Sequence, residues 1–188
     1  MSGPRPWTRL ETLLLQDCAI FRVSRTLARS PSTGRAHPFH RIDAADWVNI
    51  VPITPAGEIV LVRQYRHGSD EVTLEIPGGM IDPGESPAQA AARELLEETG
   101  YRVERVEPIG VANPNPALFG NRIHSFVGRG AVAVAPIHGD GVEETAVEVL
   151  SRAELRRVAR RGGVSHALVL AALLFLDLEE EAAQETQR

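Results

Sequence analysis

One stretch, GESPAQAAARELLEETG at 84–100, constrains this chain more than any other. Both of its boundaries are written explicitly. Ser86 is a natural N-cap, Pro87 suits the first helical position, and Gln89 completes an S-x-x-Q capping box. Gly100 stands where a glycine ends a helix in the left-handed conformation. The spacing therefore predicts a helix between Ser86 and Gly100, with Ala88, Ala91, Ala92 and Leu95 as its apolar face. Glu94, Glu97 and Glu98, at i, i+3 and i+4, then share a second face directed away from that packing. Like charges at these spacings each cost a few tenths of a kcal/mol, and the C-terminal end of a helix disfavours anions. Arg93 alone does not balance three acids, so this face reads as a binding surface for metal ions.

The rest of the chain supplies strands around that helix. CAIFRVSRTLA at 18–28 alternates apolar and polar residues, and FHRID at 39–43 reads as its returning strand after the turn composition of SPSTGRAHP. Together they predict a small N-terminal hairpin over residues 1–45, leaving 46–188 as the main domain; TRLETLLLQ before it carries little signal. WVNIVPIT (47–54) and EIVLVRQYR (58–66), joined by PAG, read as a second hairpin, with EVTLEIP (71–77) as a further short strand. Beyond the helix, 101–110, RIHSFVGRG, AVAVAP and AVEVLS read as strand material. A helix follows at about 152–161, and Ser165 is the expected cap of a last helix running through HALVLAALLFLDLEEEAA. A central sheet between helices, an α+β or α/β sandwich, accommodates this order.

Composition narrows the function classes. At 188 residues with 43% hydrophobic content, the chain supports one globular domain with a small terminal extension. A net charge of −5 leaves no general nucleic-acid footprint, and the short RRVARR run at 156–161 reads as the solvated face of a helix. The single Cys18 excludes a disulfide framework and a cysteine-based zinc site, which points to a reducing, cytoplasmic setting. The apolar part of the last helix is shorter than the roughly 20 residues a membrane span requires, so no membrane association is expected.

The helix and the loop before it resemble the Nudix box, G-x5-E-x7-R-E-U-x-E-E-x-G-U with U bulky and apolar. Its fixed positions here are Gly79, Glu85, Arg93, Glu94, Leu95, Glu97, Glu98, Gly100 and Tyr101. With average residue usage, a chance match at any one start is on the order of one in a billion. The resemblance implies the Nudix fold, an α/β/α sandwich, here with a small N-terminal antiparallel sheet. It implies that Glu94, Glu97 and Glu98, with the Gly78 carbonyl, ligate the metal. Oxygen donors of high charge suit Mg2+, and Mn2+ also fits. Glu97 and Glu98 thus count as catalytic, Arg93 as the group that orients Glu97 from four residues away, and Glu85 as a supporting carboxylate.

VRQYRHG followed by LEIPGG, the N-terminal hairpin, and Pro116 sixteen residues after Gly100 resemble the branch that hydrolyses ADP-ribose and other nucleoside diphosphate sugars. That branch implies a nucleotide-sugar substrate and a homodimer built through the N-terminal sheet. The family places a mobile catalytic glutamate in the late acidic loop, where Glu143 is the first candidate and Glu144 the second; two solvated loop acids are the plain alternative. Arg66 is a candidate for a phosphate or ribose, or a surface arginine. Trp47 is a candidate for stacking on the base, or a core or dimer residue. Asn121, Arg122 and His124 are candidates for the terminal sugar or phosphate, His124 equally a histidine with a satisfied internal partner. Two other readings stand beside this one: a nucleoside triphosphate or RNA 5′-end pyrophosphohydrolase, and a non-catalytic ligand-binding module.

Overall fold

The computed structural model describes residues 3–137 and 144–186. Two compact units are present. The first comprises residues 1–45 with 113–122, the second 46–112 with 123–188.

The first unit is a three-stranded antiparallel sheet of β1 (Thr8–Asp17), β2 (Phe21–Arg29) and β3 (Ala36–Ala44), in the order β1-β2-β3. The hairpin expected from sequence is therefore two-thirds of a sheet, and TRLETLLLQD, a stretch with little strand signal of its own, is its first strand. Cys18–Ile20 form the tight turn between β1 and β2, with Ala19 at φ 64°, so β2 begins at Phe21 rather than Cys18. Segment 113–122 joins the unit by a parallel bridge between Ile42 and Phe119. Asn113 and Asn115 organise this loop, Asn113 donating to the Phe119 and Asn121 carbonyls at 3.0 and 3.1 Å.

The second unit is an α/β/α sandwich. Its strands are β4 (Trp47–Ile53), β5 (Glu58–Arg66), β6 (Glu71–Glu75), β7 (Gly78–Met80), β9 (Glu107–Ala112), β10 (Ile123–Arg129) and β12 (Thr145–Ser151). They lie in the order β12-β5-β4-β10-β9, with β6 on β5 and β7 on β4. Two short strands, β8 (Tyr101–Arg102) and β11 (Val132–Ala133), pair separately. The single strand expected over 101–110 is thus split in two. The 47–54 and 58–66 strands also differ from a simple hairpin. They pair only at Ile53 and Ile59, and β4 instead runs parallel to β10 along its whole length.

β4 is buried from Val48 to Ile53 because it is covered on both faces. Its even positions, Val48 and Ile50, pack with Phe126 against Ala90, Ala91 and Leu95 of α1 (Pro87–Thr99). Its odd positions, Val51 and Ile53, join Leu61 and Val127 against Leu155 of α2 (Arg152–Arg160) and Val169, Ala172 and Leu176 of α3 (Ala167–Thr186).

The caps of α1 form as its sequence dictates. Ser86 and Gln89 complete the capping box, and Gly100 sits at φ 70°. Its buried face differs from expectation in one step: Ala90 is buried while Ala92 is exposed. At α3, Ser165 donates to Glu71 at 3.0 Å rather than capping. The imidazole Nδ1 of His166 accepts the Leu168 N–H at 3.2 Å instead, placing a nitrogen acceptor where a hydroxyl was anticipated. Among the described residues, no helix is long and apolar enough to cross a membrane.

Candidate active site

Ile76 and Pro77 follow the end of β6, and the next residues form β7 antiparallel to β4, pairing Asn49 with Gly78, Val48 with Gly79 and Trp47 with Met80. The backbone of β4 leaves room for no side chain at Gly78, and at Gly79 one would displace the end of the Glu94 side chain. A Cβ on Gly78 would collide with the Val48 carbonyl and lie 2.9 Å from Asn49 Cα, and one on Gly79 would land on the Glu94 carboxylate. The backbone of the turn is therefore pressed against the acidic face of α1. The Gly78 N–H donates to Glu98 Oε2 at 3.1 Å. Glu98 is 8% exposed and sits on the packed side of α1, correcting the expectation that all three acids point away from it.

Arg93 gathers the remaining acids. Its guanidinium donates to both oxygens of Glu85 at 3.1 Å, to Glu94 Oε1 at 2.8 Å, to Glu97 Oε2 at 3.0 Å and to the Met80 carbonyl at 3.0 Å. Charge-assisted bonds of this kind are the stronger protein hydrogen bonds. They raise the Arg93 guanidinium further above its already high range and hold the Glu85 carboxyl below the usual carboxylate range. Glu85 and Met80 tie the loop before the helix to the helix itself. The bridge from Arg93 to Glu85 spans eight residues, and neither propensity nor periodicity reveals it; only the box pattern pairs the two positions.

The other site candidates lie as follows. Trp47 is half-buried at the start of β4, between Met80 and Ile123. Arg66 makes a forked ion pair with Glu75, at 2.8 and 2.9 Å. Burial alone would push the Glu75 carboxyl up, but the bonds from Arg66 and Thr73 outweigh it and hold the group below its usual range. Asn121 is buried in the first unit and donates to the Ala45 carbonyl at 2.9 Å, while Arg122 is exposed there. His124 meets Asp46 at 3.2 Å, the satisfied internal partner that was one of its two readings. Glu143 lies outside the described residues. Glu144 is exposed, and Thr145 donates to the Glu98 carbonyl at 3.2 Å.

Three glutamates and a backbone carbonyl are all hard oxygen donors, and the missing side chain at Gly79 lets the Glu94 carboxylate lie directly against the turn backbone. In kind, this set fits Mg2+ or Mn2+. Among the described residues, no three acidic, histidine or cysteine side chains gather around a common centre, and Arg93 is the focus of Glu85, Glu94 and Glu97.

Residues 44–173 match the NUDIX domain. The chain is 39% identical over 83 residues to a methanol dehydrogenase activator of Bacillus methanolicus, covering 44% of this chain and 45% of that protein. It thus spans under half the length of that relative. With an ADP-ribose pyrophosphatase of Escherichia coli (strain K12) it shares 32% identity over 142 residues, 71% of this chain and 68% of the other. A crystal structure of an ADP compounds hydrolase superposes with a TM-score of 0.83 at 22% identity, covering 97% of this chain and 98% of that one, a likeness of fold. With the domain match covering well over half its length, the chain belongs to the Nudix family.

Proposed function

We propose that the protein is a Mg2+-dependent pyrophosphatase that cleaves ADP-ribose or related nucleoside diphosphate sugars to a nucleoside monophosphate and a sugar phosphate. The observation that carries this reading is the fit of the Gly78-Gly79 turn onto Glu94 and Glu98 of α1. The fit sets two carboxylates beside one backbone turn, and Arg93 adds Glu97 to the same face. A surface helix that was acidic by accident would have no need of a bare Gly79 backbone against the Glu94 carboxylate. The similarity to an ADP-ribose pyrophosphatase over 71% of the chain supports the substrate class.

Glu94, Glu97, Glu98 and the Gly78 carbonyl would hold the metal. Bound there, Mg2+ supplies charge neutralisation at the pyrophosphate oxygens and acidifies the attacking water. Arg93 acts as a positioning residue, fixing Glu94 and Glu97 relative to the Glu85 loop. Glu143, or Glu144 beside it, accepts the proton from the attacking water. Thr145, bonded to the Glu98 carbonyl, follows these two in sequence, which supports the assignment. Trp47 stacks on the base, Arg66 meets a phosphate or the ribose from its seat on Glu75, and Asn121 and Arg122 serve the distal sugar phosphate. The enzyme is cytoplasmic, consistent with a free, exposed Cys18. The 1–45 extension makes a homodimer, supported by the exposure of Trp7, Leu10, Leu13, Leu14, Leu15 and Phe39 on its sheet.

The test is release of AMP from ADP-ribose with and without Mg2+, alongside a panel of nucleotide sugars, dinucleotides and triphosphates. AMP and ribose phosphate appearing only with the metal supports the reading. Hydrolysis confined to triphosphates, or no hydrolysis of any substrate, removes it.

A further inference from the structure

Helix α3 carries an apolar stripe that the sandwich does not use. Leu170, Leu174 and Leu178 follow one another at four-residue spacing, which aligns them on one line of the helix, and they are 43%, 57% and 51% exposed. The stripe borders a groove of about 440 Å3 between α2 and α3, floored by Leu155, Leu173 and Leu176 and rimmed by Arg152, Arg156 and Arg160. Two ion pairs show that the helices run antiparallel: Arg152 with Glu180, and Arg156 with Asp177.

Those pairs consume the charges in the middle of the groove and leave a surplus at each end. Arg160 and Arg161, beside the N-terminal end of α3, have no carboxylate partner among the described residues. Glu181 and Glu185, on the last turns of α3, have no cationic partner there either. One end of the stripe is therefore cationic and the other anionic, with leucines between.

We propose that this face pairs with the same face of a second copy, α3 against α3 in antiparallel sense about a two-fold axis near Leu174. Such a pairing sets Leu170 opposite the partner's Leu178 and Leu174 opposite the partner's Leu174. At 1.5 Å rise per residue, the same register carries the partner's Glu181 and Glu185 past Ala167 and Gly163, next to Arg160 and Arg161. A two-fold contact makes both charge matches at once, because each surplus meets its opposite. An acidic helix of another protein would satisfy the arginine end and be repelled at the glutamate end. The charge pattern is complementary to its own reverse.

The contact is separate from the N-terminal sheet. If only this face operates, the full chain is a dimer; if both do, a tetramer forms where the two two-fold axes meet at right angles. The full-length wild type and Leu174→Glu are compared by sedimentation and light scattering. Leu174→Glu places two carboxylates face to face at the axis, and the mass should halve. An unchanged mass, whether that of a monomer or of an assembly held elsewhere, overturns the proposal. In a Cys18→Ser background, Leu174→Cys should form an inter-chain disulfide under mild oxidation while Glu104→Cys should not; absence of the 174 cross-link also overturns it. Reversing Glu181 and Glu185 to Arg should weaken the assembly, and adding Arg160→Glu and Arg161→Glu should restore it; no restoration refutes the charge register. Leu174 belongs neither to α1 nor to the N-terminal sheet, so pyrophosphatase activity of Leu174→Glu should match wild type.

Discussion

Replacing Arg93 by methionine keeps the side-chain bulk and removes the cation that holds Glu85, Glu94 and Glu97. Arg93 and Glu85 are 28% and 17% exposed at their side chains, so their two hydrogen bonds are only partly screened. With the Glu94 bond, the three contribute about 2–3 kcal/mol together, roughly 1 kcal/mol each and so below the usual range for charged hydrogen bonds, because water still reaches the group. The Glu97 pair, half exposed and at i,i+4, adds about 0.3–0.5 kcal/mol. Without the cation the three acids also repel one another by a few tenths each. The sum is about 3 kcal/mol, which in a protein of this size lowers Tm by about 6–12 °C. Urea unfolding followed by circular dichroism measures it directly. Acid supplies a second signature. Glu85 has a lowered pKa in the folded state, so its stabilisation is complete above its ordinary value of 4.5 and is lost as pH falls below that. The gap between wild type and Arg93→Met should stay constant from neutral pH down to about pH 5 and narrow on further acidification. A loss below about 0.5 kcal/mol at pH 7, the range of an ordinary surface substitution, would refute the view of Arg93 as the organiser of this site.

Gly79→Ala should leave the melting curve close to wild type, since Glu94 can swing aside, yet reduce turnover by a factor on the order of a hundred or more through a displaced ligand; full activity would remove Glu94 from the metal set. Glu75→Gln breaks a carboxylate only 3% exposed from its fork with Arg66, and should cost about 2–3 kcal/mol at pH 7 in denaturant titrations, allowing for the partial exposure of Arg66. Because the Glu75 pKa is depressed in the fold, that cost should shrink as pH falls below about 4, and an equal cost at pH 3 would contradict the assignment. Glu143→Gln and Glu144→Gln, assayed for turnover across pH, should show a loss of on the order of 10²–10⁴-fold in one and little change in the other; unchanged turnover in both removes this loop from the chemistry.

Local chemistry made much of this legible from sequence. The limits of α1 follow from Ser86, Pro87, Gln89 and Gly100, all of which act within one turn of the helix end, and each adopts its anticipated geometry. The strands at 47–53 and 58–66 follow from runs of β-branched residues. Where several distant partners compete, residue type was a poorer guide. TRLETLLLQD alternates too weakly to read as a strand, and it is one because β2 pairs along it. Ser165 had the right chemistry for a cap but found Glu71, nearly a hundred residues earlier, and His166 took its place.

The sequence by itself determined the family, the acidic helix and the kind of ion its donors suit, because those depend on residue type and short spacing. Only the tertiary structure decided how the charges are settled. Glu98 turns inward to the Gly78 amide, Arg93 reaches back eight residues to Glu85, and Arg66 is committed to Glu75. Each of these is an electrostatic pairing between groups that chain folding brings together. A carboxylate takes the nearest donor in space, and the order of residues along the chain does not reveal which donor that will be.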